Sequence, residues 1–139
     1  MSAWKRVALE KLPEFRLHIE TADSPMALWI ELHMEFEAIY REASPDRNLV
    51  RRFYEYARWS LVAPGKGGYQ SEVSQAVACA FYEHLPQHGG IRRDLPNWLT
   101  REGCEELREV FRYHLTEPEF SDFESEFFSA PSKTVRTRP

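Results

Sequence analysis

"SPMALWIELHMEFEAIYREA" (Ser24–Ala43) runs directly into "SPDRNLVRRFYEYARWSLVA" (Ser44–Ala63), and these two segments decide the fold. Both enter on Ser-Pro. A serine hydroxyl accepts a hydrogen bond from a free N–H in the first helical turn, and proline at the first helical position sacrifices no backbone bond. The spacing therefore predicts two helices capped by Ser24 and Ser44. Proline disfavours helical geometry at the residue before it, so the first helix must stop near Ala43. With so short a link, the pair forms a helical hairpin.

Helical periodicity extends outward in both directions. Upstream, Ala3 to Lys11 and Glu14 to Glu20 read as short helices. Downstream, a helix is expected from about Ser71 to Leu85, with Val73, Val77, Ala80, Phe81 and His84 on one stripe. Thr100 caps another, which carries Cys104, Leu107, Phe111 and His114 on one face. Thr116 and Glu119 have capping-box spacing ahead of a Phe120, Phe123 and Phe127 stripe. No alternating run supports a strand. The expected fold is all-α, a single compact bundle or short helical array of about five to seven helices. It forms one domain over residues 1–128, followed by a disordered basic tail over 129–139.

Composition narrows the function. The chain has 139 residues, 42% hydrophobic and 29% charged, which suits one soluble domain. Its formal net charge is −4. Three of the 18 bases, Lys133, Arg136 and Arg138, lie in the tail. The rest of the chain has 15 bases against 22 acids, a net of −7. Such a body repels phosphate backbones, so nucleic acid is not an expected partner. A basic protein partner suits it. No apolar run is long enough to span a bilayer, and the first residues lack the apolar core of a signal peptide. Cys79 and Cys104 have no zinc-type spacing. A reducing cytoplasm is the expected location, and no cofactor is expected.

The glycine-rich "APGKGGYQ" after the hairpin is not a phosphate loop. Gly67 stands where a P-loop needs serine or threonine after the lysine, and the preceding segment is helical. Pro64 and the glycines are read as a helix terminator.

Candidate functional residues fall into two groups. Glu31, Glu35 and Glu42 are expected on the outer face of the first Ser-Pro helix, an acidic ridge that would speed association with a basic protein. Arg92 and Arg93, in the irregular "HGGIRRDLPNW", are candidate partner contacts with Trp98 anchoring the loop. "RRFYEYARW" adds an Arg52, Tyr56 and Trp59 stripe, read chiefly as internal packing. The second group is His33, His84 and His114, each on an apolar stripe. If the stripes converge, three imidazoles could hold a metal. No catalytic nucleophile motif is present.

The order of "LWIELHMEFEAIYREA", "RRFYEYARWSL", "SQAVACAFYEHL" and "LPNWLTREGCEELREVFRYHL" resembles a group of small uncharacterised all-helical bacterial proteins, over roughly Leu12 to Phe120. The recurring parts are Tyr56-Ala57-Arg58-Trp59 and Phe81-Tyr82-Glu83-His84-Leu85. Some such proteins are similar to immunity proteins, which neutralise a companion toxin. The resemblance implies protein binding and supplies no catalytic motif. The expected function is non-enzymatic protein binding. The alternative is a metal-binding protein or enzyme built on the three histidines.

Overall fold

The computed structural model describes residues 1–63 and 71–130. Among them there are nine α-helices and no strand. None of these helices is long and apolar enough to cross a membrane. The expected glycine terminator, Pro64 to Gln70, and residues 131–139 of the expected tail lie outside the described residues, while Ser129, expected in that tail, is the last residue of the final helix. The backbone groups into two compact units, Met1–Phe81 and the chain from Tyr82 onward.

The first unit holds α1 (Ala3–Lys11), α2 (Arg16–Thr21), α3 (Pro25–Ile39), α4 (Arg47–Leu61) and α5 (Glu72–Ala80). A 3₁₀ turn, Pro13–Phe15, precedes α2, so the segment expected as one helix from Glu14 is split. Ser24 caps α3 by accepting from the Ala27 N–H at 3.1 Å, with Pro25 at the first helical position. The second Ser-Pro differs. The cap of α4 is Asp46, whose Oδ1 accepts from the Leu49 N–H at 3.1 Å. An ionised carboxylate is as good a cap as serine and also complements the helix dipole. Helix α3 stops at Ile39, ahead of the expected Ala43, and Tyr40 to Ser44 form turns and a bend.

The core of this unit is aromatic. Trp29, Phe36, Phe53, Tyr56 and Phe81 have no accessible surface. Trp29 stacks on Tyr56 at 5.1 Å and meets Phe81 at 4.9 Å. Phe36 contacts Phe53 and Phe81 at 5.1 and 5.0 Å. Each pair contributes about 0.5–1.5 kcal/mol beyond its burial. The Trp29 indole N–H donates to the buried Ser60 hydroxyl at 3.2 Å, so neither polar group is stranded. The Arg52 and Tyr56 stripe faces inward onto α1. The Tyr56 hydroxyl donates to the Trp4 carbonyl at 2.8 Å, and Arg52 donates to the Lys11 carbonyl at 2.9 Å. Arg52 also forms a two-pronged pair with Glu14 at 2.7 and 2.5 Å.

The second unit holds α6 (Gly89–Asp94), α7 (Arg101–Glu106), α8 (Arg108–Arg112) and α9 (Glu117–Ser129). It opens with a 3₁₀ turn, Tyr82–Gln87, where the sequence predicts that the preceding helix continues. Helix α5 ends at Ala80, where Phe81 leaves helical geometry, and Pro86 bars a return to the α-helix beyond it. The proline ring would strike the carbonyl four residues back and it has no N–H to give, so an α-helix cannot run through Tyr82–Pro86. The stretch read as irregular contains α6, capped by His88 Nδ1, which accepts from Ile91 at 3.3 Å. Thr100 caps α7, as its spacing predicts. The capping box is present at α9, with Thr116 and Glu119 bonded reciprocally. Phe120, Phe123 and Phe127 are buried, and Phe123 meets Phe111 at 5.4 Å. The phenylalanine stripe therefore closes its own unit.

Candidate functional site

Helix α3 carries apolar residues on its outer side as well as its core side, with Glu31, Glu35 and Glu37 among them. Its core face consists of Leu28, Trp29, Leu32, Phe36 and Ile39, all buried. At 100° per residue, Met26, Ile30 and Met34 fall on the opposite side, one above another at four-residue spacing. They are 36%, 50% and 59% exposed, which places an apolar stripe in water where an amphipathic helix would carry charge. Leu17, on the adjoining α2, is also exposed.

One of the three expected ridge acids, Glu31, flanks this stripe, and Glu35 lies further round towards the core face. Glu31 is exposed and Glu35 half-buried, and both reach the same imidazole on α2. His18 Nε2 lies 3.1 Å from Glu35 and its Nδ1 lies 3.7 Å from Glu31. The ridge is thus a pair of glutamates clamped around His18, a residue the sequence reading did not single out. The expectation that Glu42 shares this helical face is corrected. Glu42 sits beyond the end of α3, in the bend before α4, because the helix stops at Ile39. It is exposed there.

Arg92 is half-buried and committed within its unit. It donates to Glu126 on α9 at 2.6 Å and lies over the Phe123 ring at 5.5 Å. Arg93 is exposed. The Trp98 N–H donates to Asp94 at 2.9 Å, which holds the end of this segment in place.

The histidines divide between the units. His33 belongs to the first, where its Nε2 lies 3.1 Å from Glu37 one turn on, and its ring meets the Phe81 ring edgewise at 6.1 Å. His84 and His114 belong to the second and meet there. Their rings stack at 4.8 Å, 20° from parallel. Glu83 completes a cluster, its carboxylate 3.0 Å from His114 Nε2. One ligand atom from each of Glu83, His84 and His114 falls within 4.8 Å of the others. Glu83 was not among the sequence candidates. His84 and Glu83 come from the 3₁₀ turn, and His114 from the turn after α8. Beside them is a cleft of about 290 Å³ lined by Pro86, Gln87, Arg92, His114, Leu115 and Glu119.

Cys104 offers little chemistry. Burial, with a smaller push from Glu124, raises the Cys104 thiol to about 12, so it is protonated near neutrality and inert. Cys79 is exposed on α5.

Comparison with protein-family models, with curated proteins and with solved structures gave no match.

Proposed function

We propose that this protein works by binding another protein, in the manner of an immunity-like inhibitor, through the outer face of α3. The observation that carries the reading is the exposed Met26, Ile30 and Met34 stripe. Apolar side chains aligned along one solvent-facing helix side cost solubility and mark a contact surface. Methionine adds adaptability to such a surface. Glu31 and Glu35 set the sign of the partner. An apolar stripe with a carboxylate on its flank suits an amphipathic segment carrying leucine-like residues on one side and lysine or arginine beside them. The net charge of −7 outside the tail acts in the same direction over longer range.

The test uses two synthetic helical peptides with the same leucine face, one with a lysine polar face and one with a glutamate polar face. Binding is followed by fluorescence anisotropy at low and moderate salt. The lysine peptide binds in preference, and added salt weakens it. The double substitution Ile30→Asp, Met34→Asp abolishes binding, and charge reversal at Glu31 and Glu35 weakens it. Equal affinity for both peptides removes the electrostatic part of the reading. Affinity that survives the two aspartates removes the stripe.

A further inference from the structure

We propose that Glu83, His84 and His114 form a binding site for a divalent transition-metal ion of the zinc type. Histidine–carboxylate contacts occur elsewhere in the molecule, at His18 with Glu31 and Glu35 and at His33 with Glu37, but each of these has a single imidazole. The Glu83 cluster brings together two imidazoles and one carboxylate, with ligand atoms inside 4.8 Å. Two nitrogens and one oxygen form a three-ligand set that leaves a fourth tetrahedral position open. Imidazole ligands favour zinc and its neighbours over magnesium and calcium, which take oxygen donors.

The scaffold suits the task. On the inner side of both turns, Tyr82 and Phe111 are buried and their rings meet at 6.4 Å, and Leu85 and Pro86 are buried beside Tyr82. The backbone that carries the ligands is therefore fixed by packing. The ligand side chains themselves are half-buried or exposed and have room to turn. They need only a small turn. Bonds of about 2.0–2.1 Å on a tetrahedron place ligand atoms about 3.3 Å apart. The Glu83–His114 pair is already at 3.0 Å, and rotation of the His84 ring out of its stack brings the third ligand in. His84 Nδ1 lies 3.2 Å from Gln87 Oε1. His114 also lines the 290 Å³ cleft, so the ion is reached from solvent.

The full chain, purified without a histidine tag and stripped of metal, is titrated with zinc chloride by calorimetry. Cobalt(II) absorption in the visible serves as a second readout of coordination geometry. The expected result is one saturable equivalent of zinc with no comparable uptake of magnesium. His84→Ala and His114→Ala each weaken it by at least about tenfold, the lower bound seen even for outer-shell losses. Glu83→Gln weakens it too, and His33→Ala leaves it unchanged. Circular dichroism confirms that each variant is folded, and His114→Gln, in an exposed turn, supplies a milder substitute for His114→Ala. Absence of saturable zinc binding to the unaltered chain overturns the proposal. So does binding that survives the loss of both His84 and His114.

Discussion

Ile30 and Leu32 stand two residues apart on α3, and truncating each to alanine separates the two sides of that helix. Leu32 has no accessible surface. Its removal takes away buried methyl groups and leaves a cavity, at a cost of about 2–5 kcal/mol. Ile30 is half exposed. Its truncation forfeits part of the burial term, about 1 kcal/mol, because a fully buried methylene is worth only about 0.8 kcal/mol. Alanine returns up to about 0.7 kcal/mol of helix propensity. The net cost at Ile30 is therefore below about 1 kcal/mol. Both positions lie in the same unit, so one urea transition reads both. With slopes of about 1–3 kcal/mol/M, Leu32→Ala lowers the midpoint by at least about 0.7 M, and at the same slope Ile30→Ala lowers it by less than about half as much. Equal losses would put Ile30 in the interior. The exposed stripe would then not exist, and the binding surface proposed on α3 would go with it.

Acid stability and thiol reactivity check other parts of the structure. The hydrogen bond from Arg52 is the main cause holding the Glu14 carboxyl below its ordinary value of 4.5. A carboxyl lowered in the folded state contributes stability above its unfolded value and loses it as pH falls through the folded one. Glu14→Gln therefore costs about 0.2–1 kcal/mol near neutrality, the range of exposed pairs, and the difference from the unaltered protein closes below pH 4.5 in urea titrations. A difference that persists in strong acid would show that Glu14 acts by packing rather than charge. A thiol reagent at neutral pH labels Cys79 in the folded protein and Cys104 only when urea is added. Equal rates would contradict the burial of Cys104.

What the sequence carried best was local. Ser24, Ser71, Thr100 and Thr116 each accept a backbone N–H at the start of a helix, because capping depends on residues within one turn of each other. Ser44 misled because Asp46, two residues on, competes for the same role, and chain direction after Pro45 decides between them. The face of α4 was harder. Leu49, Phe53, Ala57 and Leu61 make a regular apolar row, yet the buried set is Val50, Phe53, Tyr54, Tyr56, Ala57 and Ser60. Ser60 and Tyr56 enter the core only because Trp29 and the Trp4 carbonyl meet their hydroxyls. Such partners are distant in sequence, so periodicity alone rotates the helix toward its aliphatic row.

The histidine cluster shows where local reading ends and what replaces it. Three histidines on apolar helical stripes suggested one common centre, but a stripe fixes only the face of its own helix and says nothing of where that face is carried. His33 meets Glu37 and Phe81 within the first unit, and its ring is settled there. His84 and His114 come together because neither ends up on a regular helix. Pro86 tightens the chain around Glu83 and His84, and the end of α8 turns His114 back toward them. The useful signal was a helix pattern interrupted by a proline two residues after a Glu-His pair. Glu83 and His84 lie in a 3₁₀ turn in place of the expected α-helix, and that turn meets the end of α8 so that both lie beside His114. A Pro86→Ala substitution that let the α-helix run on through His84 would shift Glu83 and His84 relative to His114, so it is expected to weaken zinc uptake in the same calorimetric titration with all three ligands still present.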